Sequence, residues 1–155
     1  MKEKLAAVQI GRRTVAIAVF IGTHLEHSQV VRLSSDLNVA LRRVPAIVQR
    51  VLDQFGVTTV GLEPSIGQSE RRTAKLQEAL IQQLRNLAIA IWPVSFPDLC
   101  RHSALPPVRT RHALRQIAIN IFPALGGTSN GKLDCDAALL GLYIQTERLL
   151  SVIPT

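Results

Sequence analysis

Two apolar runs on either side of a short glycine turn, LAAVQI and TVAIAVF around Gly11, Arg12 and Arg13, limit what this chain can become more than any other stretch. Leu5–Ile10 is almost uninterrupted aliphatic, the pattern of a strand buried on both faces. Thr14–Phe20 is rich in β-branched and small residues, which suits an antiparallel partner. Gly11 and the two arginines supply the turn. A hairpin this apolar needs further strands beside it and cover above and below. One residue breaks the first run: Gln9, near its end, whose amide requires hydrogen-bond partners or a mouth open to water.

The remaining pattern supplies that cover. Gly22 and Thr23 offer a second turn and Gln29–Leu33 a short third strand, so a three-stranded antiparallel meander is expected. From Leu37 the period lengthens: Leu37, Ala40, Leu41, Val44, Ile47, Val48, Val51, Leu52 and Phe55 recur at helical spacing, with Asp36 as cap and Gly56 as stop. The apolar phase runs through Pro45, which favours a kink over a break; a helix with Pro45 in its first turn is the alternative. Val57–Glu63 reads as a fourth strand ending in an acid, followed by Pro64 and a loop over Ser65–Gln68. Ser69 can cap a helix reaching about Ala88, with Leu76, Leu80, Leu84 and Leu87 inward, and Ile89–Trp92 is a fifth strand. Strand, helix and strand in succession imply parallel pairing with right-handed crossovers. Ser95–Pro107, with His102 and Pro106, reads as irregular. A helix over Val108–Phe122 is expected to bury Leu114, Ile117, Ala118 and Ile121 and to leave Arg111 and Arg115 on another face. Ala124–Leu133 has a loop composition, including Gly126, Gly127, Ser129, Asn130 and Gly131. Asp134 and Asp136 then open a last helix, apolar around much of its circumference, that should pack directly on the sheet.

At 155 residues the chain has the length of one domain, 1–155, and can bury a core without disulfides or structural zinc, for which Cys100 and Cys135 lack the number and spacing. Lys2 and Lys4 precede an apolar stretch, but Arg12 and Arg13 interrupt it and no apolar run approaches about 20 residues. No export and no membrane span are expected, and a reducing cytoplasm is the expected compartment. Lysines and arginines number 18 against 11 acids, a formal charge of +7 that favours polyanionic partners.

The order of elements is that of the ribonuclease H-like fold: an α/β, five-stranded mixed sheet with three antiparallel then two parallel strands, flanked by helices. Within it, the residues at the strand ends resemble the RuvC-type Holliday junction resolvases over nearly the whole chain, from Leu5 to about Leu150. LAAVQIGRRTVAIAVF matches the first hairpin of that family, VGLEPS its fourth strand, and DAALLGLY the start of its last helix. The resemblance implies a Mg2+-dependent, structure-selective endonuclease whose acidic residues hold two ions against a DNA phosphate. Glu63 falls on the family glutamate and Asp136 on the last acid. Gln9, however, falls on the catalytic aspartate, and Leu133 on the remaining ligand. Asp134 is adjacent and can substitute only if it lies before the first helical turn, because residues two apart on a helix point in roughly opposite directions.

Two cations about 3.5–4 Å apart need several carboxylates to hold them, and Gln9 offers only a neutral carbonyl oxygen. A site of Glu63, Asp134 and Asp136 is therefore expected to hold one Mg2+ weakly or none. Arg12, Arg13, Arg71, Arg72, Lys75, Arg101, Arg109, Arg111 and Arg115 lie beside the proposed site loops and suit phosphate tracking. Aromatic residues at 4% leave no base-stacking platform. The leading expectation is a RuvC-like protein that binds nucleic acid, branched DNA included and RNA as a further polyanion, without efficient cleavage. An active Mg2+-dependent endonuclease and a protein-interaction module are the alternatives. A homodimer is expected from the resemblance alone.

Overall fold

The computed structural model describes residues 2–64, 71–103, 107–127 and 132–152. A five-stranded sheet is built from β1 (Lys4–Ile10), β2 (Thr14–Ile21), β3 (His24–Arg32), β4 (Thr59–Leu62) and β5 (Ala90–Pro93), in the order β3-β2-β1-β4-β5. The meander β1–β2–β3 is antiparallel, and β4 and β5 add in parallel, so β1 lies in the middle as its aliphatic run requires.

Alternation along β1 divides the core. Ala6 and Val8 face helices α1 (Leu37–Phe55) and α2 (Arg71–Asn86), packing with Val44, Val48, Leu76 and Leu80. Leu5 and Ala7 face the other layer, made of α3 (Phe96–His102), α4 (Arg111–Ile121), a short 3₁₀ turn over Pro123–Gly127, and α5 (Leu133–Val152). The side-chain period of two places Gln9 in this second layer. Among the described residues no helix is long and apolar enough to cross a membrane.

Helix α1 is continuous through Pro45 and bounded as expected. The Asp36 side chain accepts the Asn38 and Val39 N–H groups, and Gly56 takes the left-handed conformation (φ +66°). Several boundaries differ from the sequence reading. β3 begins at His24 rather than Gln29, because His24–Ser28 is a polar edge segment without an apolar signal yet pairs with β2 throughout, across a bulge at Val19/Phe20. Phe96–His102 is a helix inside a stretch expected to be irregular; Ser95 caps it and Pro97 sits in its first turn, but seven residues are too few to show a period. α2 stops at Asn86, with Ala88 left-handed (φ +58°), so Leu87 lies beyond the inward stripe and is 40% exposed. α4 starts at Arg111, capped by Thr110, and its buried residues are Leu114 and Ala118, while Ile121 is 46% exposed at the helix end. Ala124–Gly127 belongs to the 3₁₀ turn. The Ser65–Gln68 loop, the Ser69 cap, Pro106 and Ser129–Gly131 fall outside the described residues.

Helix α5 lies unusually close to the sheet, and two glycines permit it. A Cβ on Gly141 would stand 2.4 Å from the Phe20 ring and 3.3 Å from the Ala7 Cβ, and one on Gly61 would meet the tip of Ile144 at 2.3 Å. The far end of α5 is tied to the start of β1. Gln145 donates to the Glu3 and Gly22 carbonyls at 2.8 Å each, and Arg148 binds the Lys4 carbonyl and the Glu3 carboxylate. These bonds set the height and position of α5, and with them the place of Asp136 above the sheet.

Candidate functional site

Parallel pairing aligns Val8 with Leu62, so the next residues, Gln9 and Glu63, emerge side by side where β1 and β4 end. Open α/β sheets place their sites at such strand ends. Gln9 is 8% exposed and donates its amide Nε2 to Glu63 Oε1 at 3.3 Å, which answers the hydrogen-bonding demand of a buried amide. Gln77 of α2 donates to the Glu63 main-chain carbonyl at 2.8 Å and holds the strand end from the other layer.

The carboxylates are taken by two arginines. Arg111 at the start of α4 forms a fork on Glu63, Nη1 to Oε1 at 2.9 Å and Nη2 to Oε2 at 2.6 Å. One helical turn on, Arg115 forms a second fork on Asp136, Nε to Oδ1 at 3.0 Å and Nη2 to Oδ2 at 2.8 Å. Arg111 Nη1 also lies 4.0 Å from Asp136 Oδ1, so the four groups make one alternating cluster. The Arg111 guanidinium stacks on the Phe96 ring, 4.2 Å from its centroid. Burial works against the Arg111 charge, but the bond to Glu63 and the nearby acids outweigh it and hold its pKa up. Burial pushes the Asp136 carboxyl up, against the pull of Arg115 and Arg111.

The sequence reading set Arg111 and Arg115 beside the site loops, off the buried face of their helix, as phosphate contacts; the structure brings them to that place and turns them onto the acids themselves. A signal was available. Like charges at i and i+4 on one helix face repel unless acids meet them, and two acids at strand and helix ends were already candidates.

Asp134, the proposed substitute ligand, is buried but directs an oxygen to the Cys135 backbone N–H at 2.8 Å. α5 already begins at Leu133, so Asp134 lies within the first turn and cannot share the direction of Asp136. Among the described residues, no three His, Cys, Asp or Glu side chains gather as a metal-holding group. Leu133 packs at the β1–β2 turn, its Cδ2 3.2 Å from where a Gly11 Cβ would stand, so this position adds an apolar wall. Cys135 is fully buried, and burial together with the Asp134 and Asp136 charges pushes its thiol up to about 11, away from reactive thiolate character. The set of Glu63, Asp134, Asp136 and Gln9 therefore does not fit Mg2+ in this arrangement. The oxygens of two members are spent on guanidinium forks, the third serves its own helix, and the fourth presents an N–H.

Further basic residues lie in the turn after β1 and at the start of α2. Arg72 donates Nε to the Arg12 carbonyl at 2.8 Å and its terminal nitrogens to the Ser34 and Ser35 carbonyls. That fork is structural: it fastens the β1–β2 turn and the β3–α1 loop to the first turn of α2. The same clamp brings exposed Arg12 and Arg13 beside exposed Arg71 and Lys75, the last two one turn apart on α2. Arg101 pairs with Asp98 at 3.3 Å on the surface of α3, and Arg109 is exposed ahead of α4.

No protein-family model and no curated protein matches this sequence. Solved structures do match it over most of their lengths. Thermus thermophilus RuvC superposes with a TM-score of 0.74 at 15% identity, covering 98% of this chain and 99% of that one. The chain has the RuvC-type, ribonuclease H-like fold. The same bacterial RuvC fold in a complex with a Holliday junction substrate matches equally well, with a TM-score of 0.74 over 95% of this chain and 96% of that one. The yeast mitochondrial Holliday junction resolvase Ydc2 gives 0.70 at 8% identity, covering 97% and 82%, and the fowlpox virus resolvase 0.63 at 16% identity, covering 93% and 99%. The RuvC-type fold thus accounts for the strand order and for β1 and β4 ending side by side.

Proposed function

We propose that this chain is a RuvC-like nucleic-acid-binding protein that engages DNA, branched DNA in particular, through phosphates and without a divalent ion. The observation that carries this reading is the pairing of Glu63 with Arg111 and Asp136 with Arg115 where β1 and β4 end, with exposed Arg12 and Arg13 in the turn that follows β1 and exposed Arg71 and Lys75 on the helix clamped to that turn. Two uncompensated carboxylates at the centre of a phosphate-binding surface would repel the backbone, and a metal-dependent nuclease relieves that repulsion with its ions. Here two guanidinium charges offset two carboxylates inside the chain. The exposed cations then act without opposition from the acids, and attraction to a phosphate chain needs no added metal.

Support for a branched substrate comes from the match to a RuvC structure that holds a Holliday junction. Use of two copies on such a substrate, and a cytoplasmic setting, belong to the same reading.

Fluorescence anisotropy with a four-way junction and a linear duplex provides the test. Binding is expected in EDTA at an affinity that falls steeply with salt, and magnesium, which competes for the phosphates, should weaken it and never be required for it. Replacing Arg12, Arg71 and Lys75 together by glutamine should lower the slope of log K against log salt by roughly 0.9 for each phosphate that is no longer neutralised. No binding at low salt, or binding insensitive to salt, would reject nucleic acid as the ligand and favour an acidic protein partner.

A further inference from the structure

We propose that Arg111 and Arg115 are the resident counter-cations of the acidic site and that they shut divalent metal out of it. The inference concerns the cluster alone and does not depend on nucleic-acid binding. Its basis is occupancy. Both oxygens of Glu63 and both of Asp136 accept hydrogen bonds from a guanidinium in forked geometry, the most directional pairing that a carboxylate makes. Two arginines carry the same charge as one divalent ion, but they are attached to the chain and never diffuse away.

The forks are also held ready by the surrounding fold. α4 is anchored through Leu114 and Ala118 against the second core layer, and Arg111 rests on the Phe96 ring of α3. A Mg2+ ion would have to displace both forks and give up part of its tightly held water. In return it would find two carboxylates and an amide, whereas it prefers a near-octahedral shell of hard oxygens. Neither neighbour can complete that shell: Asp134 serves the Cys135 N–H, and Leu133 is apolar.

Removing the arginines reverses this balance. With methionine at both positions, Glu63 and Asp136 face each other uncompensated, and the Gln9 amide is free to turn its oxygen toward them. The site then becomes a weak divalent-cation site, and an added Gln9→Asp should strengthen it with a third carboxylate.

The experiment is a Mn2+ titration followed by electron paramagnetic resonance, with thermal melting in EDTA and in Mg2+. Native protein is expected to bind no Mn2+ at this site and to show the same Tm in both buffers. The Arg111→Met/Arg115→Met variant should melt lower in EDTA, bind Mn2+, and recover several degrees in Mg2+ through mass action. If that variant does not fold, the Arg111→Gln/Arg115→Gln variant, which keeps a polar side chain at both positions and still frees both carboxylates, should gain Mn2+ binding over the native chain. Mn2+ binding by the native protein that is lost in Glu63→Gln would overturn the proposal, as would folded arginine variants that gain no metal binding.

Discussion

Replacing Arg115 by methionine is expected to destabilise the protein by about 2–3 kcal/mol at neutral pH. The reason is the partner left behind. The Asp136 side chain is 4% exposed and Arg115 27% exposed, so removing the arginine strands a buried carboxylate while losing a half-wet cation. Breaking a fully buried pair costs about 3–5 kcal/mol, and the exposure of Arg115 places this case below that range. The sign of the pH dependence follows from burial. The folded-state pKa of Asp136 already lies above its ordinary value, so its protonated form favours the fold and that contribution is lost as pH rises through the folded pKa. Without Arg115 the folded pKa moves further up. The deficit should therefore shrink as the pH falls and Asp136 takes up a proton. Urea unfolding of both proteins across the acid range measures this, and Asp136→Asn added to Arg115→Met should recover part of the loss at neutral pH.

Gly141→Val is expected to cost about 3 kcal/mol or more and to disturb the site from a distance. A Cβ there would lie 2.4 and 2.6 Å from two carbons of the Phe20 ring. Phe20 has no room to retreat, since it is fully buried and packs edge-on to Phe122 at 6.0 Å between centroids. The Ala7 Cβ, 3.3 Å away on the central strand, blocks the other direction. The helix must then lift, and Asp136, little more than one turn earlier on α5, lifts with it from Arg115. Alanine at the same position should cost less, because the gain of about 1 kcal/mol in helix propensity offsets part of the overpacking. Gly61→Ala meets only the flexible end of Ile144 and should be milder still. Urea unfolding of the three variants should rank them in that order.

Most of the architecture was legible because hydrophobic period and caps agree. The continuous aliphatic run of Leu5–Ile10 demanded a central strand, Asp36 and Gly56 bounded a helix whose phase passed through Pro45, and the acid ending VTTVGLE marked a strand end beside Gln9. What escaped notice has a common cause. The first half of β3 and the short helix α3 are held by pairing and capping with little apolar signal, so period alone could not reveal them. At the site, Glu63 could be found by its place at a strand end and Asp136 by its place opening the last helix. The arginines were visible as residues but not as partners, because charge along a sequence says nothing about which charges meet. Only the fold brings the first two turns of α4 over Glu63 and Asp136 and lays Arg111 on Phe96.

The most direct test of a closed, arginine-filled site is incubation of excess native protein with an end-labelled four-way DNA junction in Mg2+ or Mn2+, resolved on a denaturing gel. The junction is expected to be bound and to remain intact in either metal over a prolonged incubation. Metal-dependent strand cuts, abolished by Glu63→Gln, would contradict the account.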